Sequence, residues 1–319
     1  MSRTLRLLHA CVLALAVLTG VAHGGAAKAD TALCYDPGDP ADIRLWEGRA
    51  PGATGDDPCR DIPFLRIYVP AAGGTAARTA IVVMPGGGYD RLTDAKEQAP
   101  VGEHFSRQWG ITTFVLVYRR VQPDGTYRYP VPMWDAQRAM RLVRSRAAQY
   151  HVEANRIGAF GFSAGGHLAA TISTHADTDF GLARRDAIDR ERARPDFLGL
   201  GYPVISMLPD AYASPASLHH LLHGYEGSER AHLEHNLSAQ ENVTGDMPPV
   251  FLFESMDDAR ISPQNSVLFA EALRSAGVPS DVHLFPHGVH GSGLAVGIPG
   301  EEAWPGMFRD WLKGRHYLD

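Results

Sequence analysis

What most narrows the folds open to this chain is a series of short apolar runs that do not alternate with polar residues. Residues 80–84 (AIVVM) and 250–253 (VFLF) are uninterrupted, and residues 111–118 (ITTFVLVY) carry nothing more polar than threonine and tyrosine. A strand with one face in water alternates, whereas a strand covered on both faces reads as a continuous apolar run, as in a parallel sheet. Further runs at residues 64–69, 156–160, 197–202 and 282–285 extend the set, and helix-length segments lie at residues 96–109, 133–148, 163–173, 262–276 and 304–312. In the second of these segments Met133, Ala136, Ala139, Met140 and Val143 share one helical face, with arginines on the other. Strands separated by helices predict βαβ units, hence an α/β fold with a mostly parallel central sheet and helices on both faces. Residues 63–319 contain no internal repeat and no linker, so they read as one domain, long enough for a full core. Only residues 206–246 break the alternation. Polar, His-rich and helical in places, they are expected to form a small cap at the carboxyl edge of the sheet, where such folds place their sites.

The chemistry points to the same edge. Gly161-Phe162-Ser163-Ala164-Gly165 joins an apolar strand to a helix rich in Ala and Leu. That context predicts a nucleophile elbow, a strained turn that exposes a serine hydroxyl above the sheet. Small residues at 161, 165, 166, 169 and 170 let strand and helix backbones approach. A nucleophilic serine needs a base, and the base needs an orienting carboxylate. Asp257-Asp258 follows the run at 250–253, and His287 and His290 follow the run at 282–285, so both pairs fall on loops at the edge that carries Ser163. Asp258 is read as the carboxylate, with Asp257 the runner-up. His290, followed by Gly291, is read as the base, and His287 as structural. Gly86, Gly87 and Gly88 follow the run at 80–84 and leave backbone N–H groups for a developing oxyanion, a role assigned to Gly87, Gly88 and Ala164. Tyr89 and Trp134 are candidates for lining a substrate pocket, whereas Tyr202 is read as a core aromatic.

Other readings are narrower. The triple glycine lacks a G-x-G-x-x-G or Walker pattern, so phosphate binding is not expected. His219, His220 and His223 have no acidic or cysteine partner at ligand spacing, so no metal site is expected and no cofactor is required. A formal charge of −6 with scattered basic residues excludes an electrostatic footprint for nucleic acid. Arg3 and Arg6 precede an apolar run at residues 7–22 that ends in small residues, the layout of a signal peptide cleaved after Ala29. Thr19, Gly20 and His23 interrupt that run, which argues against a retained anchor and stable membrane insertion. Residues 30–62 form an arm rich in Gly, Pro and Asp, with Cys34 and Cys59 available for one disulfide in an exported chain.

Five ordered segments carry a resemblance: PGGGY at 85–89, GFSAGGH at 161–167, GYPVIS at 201–206, Asp257-Asp258 with PQNS at 263–266, and PHGVHGSGL at 286–294. Together they resemble the acetyl-xylan esterase and feruloyl-esterase-like branch of the α/β hydrolases. The resemblance spans nearly all of residues 30–319. It implies the α/β-hydrolase fold, a triad of Ser163, Asp258 and His290, and hydrolysis of short acyl esters, acetyl above all, on plant polysaccharide such as xylan. Its partners would be small-molecule or polysaccharide esters, with no nucleic acid among them. Two departures bear on substrate choice. Ala259-Arg260-Ile261-Ser262 stands where the family more often has a small or β-branched run with Val-Pro, and the segment between Tyr89 and Pro100 is slightly longer. A feruloyl esterase or serine peptidase on the same scaffold is the alternative within enzymes. A non-catalytic carbohydrate-binding relative would usually have lost a triad member, and glycoside hydrolysis would need two opposed carboxylates and leave the triad unexplained.

Overall fold

The computed structural model describes residues 33–71, 76–93, 95–182, 186–210 and 212–318. The expected leader and its cleavage site lie outside them. Eight strands form one sheet: β1 (Asp42–Arg44), β2 (Phe64–Tyr68), β3 (Ala80–Met84), β4 (Thr112–Val117), β5 (Ile157–Phe162), β6 (Leu198–Gly201), β7 (Val250–Ser255) and β8 (Ser280–Phe285). Their order is β1-β2-β4-β3-β5-β6-β7-β8. β2 pairs antiparallel with β1 and β4, and every pairing from β4 across to β8 is parallel. The uninterrupted apolar runs are the fully buried strands β3, β4, β5, β6 and β7, while the edge strand β8 is half-exposed. β1 was not expected from the sequence, because a three-residue strand within a Gly- and Pro-rich arm carries no periodic signal.

The helices are α1 (Ala99–Trp109), α2 (Val131–Ser145), α3 (Ser163–Thr174), α4 (Pro215–Leu221), α5 (Gly227–Asn236), α6 (Gln264–Ser275) and α7 (Trp304–Gly314). The sheet divides the core in two. Met133, Met140, Leu168, Ile172 and Phe269 of α2, α3 and α6 pack on one face, and Phe105, Trp304 and Phe308 of α1 and α7 on the other. α1 begins later than the expected residue 96, with Pro100 in its first turn, where the missing N–H costs nothing. Residues 206–246 hold α4 and α5 between β6 and β7. None of the helices of the described residues is long and apolar enough to cross a membrane.

After β3 the chain winds outward to β4 and returns to lay β5 on the other side of β3. That reversal opens a crevice at the carboxyl ends of β3 and β5, the usual place for a ligand in an open α/β sheet. The glycine loop leaves β3 there and Ser163 leaves β5.

The arginine face of α2 is not in water. Arg138 donates to Asp186 at 2.6 and 2.7 Å, to Asp189 at 3.0 Å and to the Leu45 carbonyl at 2.7 Å. Arg144 reaches the carbonyls of Ala154 and Arg192 and the Asp196 carboxylate. The arm and residues 186–196 thus cover what a two-face reading of the helix leaves exposed. The arm is itself fastened by a disulfide between Cys34 and Cys59. At the head of α2, Asp135 is fully buried and accepts from Arg119 at 2.7 and 3.0 Å through its guanidinium and at 2.9 Å through its N–H. Burial pushes the Asp135 carboxyl upward against the opposing pull of Arg119. Arg119 also donates to the arm at the Pro51 carbonyl, 2.7 Å away. Removing one partner of a buried pair strands the other charge, at a cost of about 3–5 kcal/mol. Asp135→Ala is therefore expected to lower the unfolding free energy by about that amount in urea titrations, and a loss near zero would show that the pair does not fasten arm to helix.

Candidate active site

Ser163 sits at the β5–α3 junction with φ of 51°, a left-handed conformation unusual for a residue with a side chain. Its surroundings enforce it. A Cβ at Gly161 would lie 2.3 Å from the Gly165 carbonyl oxygen, and one at Gly165 would lie 2.1 Å from the Met84 carbonyl oxygen. Glycine at both positions lets α3 press against β3 and β5, and the chain must turn sharply at Ser163 to do so. The Val204 N–H then holds the Ser163 carbonyl at 3.0 Å.

Two loops bring partners to the serine. His290, after β8, lies with Nε2 2.8 Å from Ser163 Oγ. Its Nδ1–H donates to Asp258 Oδ2 at 2.7 Å, which leaves Nε2 free to accept the serine proton. Asp258, after β7, keeps its other oxygen on the N–H groups of Arg260 at 2.7 Å and Ile261 at 3.0 Å. Burial pushes the Asp258 carboxyl up, but the His290 hydrogen bond and the two N–H donors outweigh it and hold the group below its usual value. The alternative pair does not reach the serine. Asp257 and His287 contact each other at 2.9 Å on the exposed side of the same loops.

The glycine loop divides its work differently from the sequence expectation. The Gly86 N–H, expected to be free, donates to Glu97 Oε2 at 2.7 Å. The N–H groups of Gly87 and Gly88 donate to no described residue and stand beside Ser163 in one cavity of about 590 Å³. Ala164 is the second residue of α3, so its N–H belongs to the unsatisfied first turn. A developing oxyanion above Ser163 would thus meet donors from both loops. The segment between β6 and β7 holds this loop: His220 of α4 donates from Nδ1 to the Gly88 carbonyl at 2.8 Å.

Tyr89 and Trp134 do not line the cavity. Tyr89 is fully buried, with its hydroxyl 2.6 Å from His167 Nδ1. Burial lowers the His167 imidazole to about 4, so it is neutral; its Nε2–H donates to the Leu237 carbonyl at 2.8 Å and its Nδ1 accepts from Tyr89. Tyr89 therefore ties the glycine loop to α3 and the cap. Trp134 points the other way, donating to the Phe180 carbonyl at 2.9 Å.

Sequence reasoning missed three buried acids beneath the site. Glu97 accepts from Gly86 and from the Tyr202 hydroxyl at 2.9 Å, and the Tyr202 ring stands edge-on to His290 at 5.0 Å. Glu301 accepts from Ser292 Oγ at 2.7 Å, within the loop that carries His290. Glu254 accepts from Ser266 Oγ and the Ser255 N–H, both at 2.9 Å. Burial raises all three carboxyls, with the nearby Asp258 charge adding to the effect at Glu254, which reaches about 8. An isolated Glu in a connection, such as Glu97, or at the end of an apolar run, such as Glu254 in β7, reads as solvated, and no periodicity in the sequence distinguishes these three. Among the described residues no group of three or more His, Cys, Asp or Glu is arranged to hold a metal ion.

Comparison with known proteins places this geometry. Residues 65–273 match the BD-FAE family model. The chain is 31% identical to an acetylxylan esterase of Xylanibacter ruminicola over 73% of its length, and 31% identical to endo-1,4-beta-xylanase B of Butyrivibrio fibrisolvens over 76%. It spans 45% and 35% of those two longer proteins. The crystal structure of an acetyl ester-xyloside bifunctional hydrolase from Caldicellulosiruptor lactoaceticus is 36% identical with a TM-score of 0.76, covering 87% of this chain and 97% of that one. A carboxylesterase from Lactobacillus plantarum, 23% identical with a TM-score of 0.68, shares the fold over 87% of this chain and 98% of its own.

Two expectations follow from the site. Asp258→Asn keeps the shape but favours the wrong imidazole tautomer, and is expected to lower kcat on an aryl acetate by about 10⁴; an effect under tenfold contradicts the relay. Glu254, neutral in the folded chain and ionised in the unfolded chain between about pH 5 and 8, makes the unfolded state bind fewer protons in that window, so its contribution to stability falls as pH rises. Calorimetric Tm should therefore fall less steeply from pH 5 to pH 8 in Glu254→Gln than in the wild type, and parallel curves would contradict the raised carboxyl.

Proposed function

Because the chain belongs to the BD-FAE family and has the α/β-hydrolase fold, we propose that it is a secreted serine esterase that removes short acyl groups, acetyl above all, from plant polysaccharide such as xylan. The observation that carries this reading is the unbroken relay from Asp258 through His290 to Ser163, opening into one cavity with Gly87 and Gly88. Ser163 attacks the ester carbonyl while His290 takes its proton. Gly87, Gly88 and Ala164 stabilise the tetrahedral oxyanion, and His290 returns the proton to the leaving alcohol. Water then attacks the acyl-enzyme by the same steps in reverse, with Asp258 steadying the imidazolium throughout.

The lining of the cavity supports a small acyl group and a hydroxyl-rich alcohol. Thr93, Ala95, Ser214, Ala216 and Ser217 are small or polar, and among the described residues of the lining the rings besides Pro215 are those of His220 and His290. An aromatic acyl group, as in a feruloyl ester, finds no apolar slot there, which favours the acetyl reading over its rival. Secretion is supported by the Cys34–Cys59 disulfide, a bond that persists in oxidising compartments, and by the leader expected at residues 1–29. Acetate release from acetylated xylan tests the proposal. The mature protein should release it and Ser163→Ala should fall by about 10⁴ or more. No release by either protein would overturn the polysaccharide assignment.

A further inference from the structure

The mouth of the cavity is ringed by three cations drawn from two segments of chain. Arg91 and Lys96 leave the connection between β3 and α1, and Arg260 leaves the loop between β7 and α6; all three are exposed and line the cavity that holds Ser163. Each stands on part of the machinery. The Arg91 N–H donates to the Gly87 carbonyl at 3.2 Å, which seats its side chain beside the oxyanion loop. Lys96 packs against the loop that carries His290 so closely that a Cβ at Gly293 would lie 2.9 Å from the Lys96 Cβ. The Arg260 N–H donates to Asp258 Oδ1 at 2.7 Å, fixing the backbone from which the guanidinium extends.

Among the described residues none of these three side chains has a carboxylate within ion-pair distance, and Lys96 acts on Glu97 only through a longer electrostatic attraction. Of the two acids that the described residues place in the same lining, Glu97 is buried on Gly86 and Tyr202, and Asp90 is exposed 3.7 Å from His220, which pairs with it only when protonated, so the lining carries three cations against one exposed carboxylate. The chain as a whole carries a formal charge of −6, so three cations without a close ion-pair partner among the described residues, set around one opening, run against its average. A neutral sugar gains little from them. A cleft with an excess of one sign of charge concentrates ligands of the other sign, and a guanidinium matches a carboxylate with two parallel hydrogen bonds. With a short acyl group against Ser163, which is only 8% exposed, the charge at the mouth faces the alcohol portion of the ester.

We propose that the site takes esters whose alcohol portion bears a carboxylate, namely acylated oligosaccharides substituted with uronic acid. The inference rests on the esterase reading above and narrows its substrate. Its test compares acetate release from two acetylated xylo-oligosaccharides of equal length, one with a glucuronic acid branch and one without, each below saturation. At about 10 mM salt the branched substrate should have kcat/KM higher by about tenfold, and at about 500 mM salt the preference should shrink to about twofold. Arg260→Gln and Lys96→Gln should each reduce the ratio between the two substrates by about threefold, and the ratio cancels any effect common to both. A wild-type ratio of one or below at low salt, with the neutral substrate still hydrolysed, overturns this inference and leaves the xylan esterase standing. Failure of both oligosaccharides while an aryl acetate is cleaved overturns the polysaccharide reading and this one with it.

Discussion

The close approach of α3 to the carboxyl ends of β3 and β5 sets the position of everything else in the site. Three consecutive contacts permit it, because side chains at Gly161, Gly165 and Gly166 would run into Gly165, Met84 and Pro203 respectively. With the helix this near the sheet, Ser163 is held in a left-handed conformation that costs about 1–2 kcal/mol for a residue with a Cβ. Such strain persists only where the surroundings over-determine it. Here they do: Gly86 lies under Ser163 so tightly that a Cβ there would be 2.8 Å from the serine Cβ. The same contact aims the unsatisfied first turn of α3 at the space above the hydroxyl. The proposed nucleophile and anion site are thus two consequences of one packing constraint.

Buried carboxyls hold the loops around that turn. Glu97 links the start of the glycine loop to Tyr202, whose hydroxyl in turn accepts the Gly293 N–H at 2.9 Å, so a single acid connects segments after β3, β6 and β8. Glu301 and Glu254 brace the loops of His290 and Asp258 through hydroxyls and N–H groups. None of these three acids takes an arginine or lysine as an ion-pair partner among the described residues. The cap adds two further restraints on the glycine loop, from His220 to Gly88 and from Leu237 through His167 to Tyr89.

Much of this was legible in the sequence because it rests on local or ordered signals. Continuous apolar runs marked the strands buried on both faces, and the positions of Ser163, Asp258 and His290 after β5, β7 and β8 placed them at one edge. The geometry sorts the adjacent acids and the two histidines into an inner pair, Asp258 with His290, and an exposed pair, Asp257 with His287. What escaped depends on contacts between distant segments. The arginines of α2 look like a solvated helix face until residues 186–196 close over them. Glu97 looks like a loop acid until Gly86 and Tyr202 meet it. Tyr89 looks like a pocket residue because it follows the glycines, yet its left-handed φ of 71° and its bond to His167 carry the ring inward.

The proposed esterase stands on Ser163 as an activated nucleophile. Its most direct test is labelling of the folded protein with an irreversible serine-reactive phosphonate, followed by intact mass and peptide mapping. One adduct per chain is expected, on Ser163, formed in the wild type and lost in Asp258→Asn at matched times. A folded protein that takes up no phosphonate, or takes it up at another serine, would contradict it.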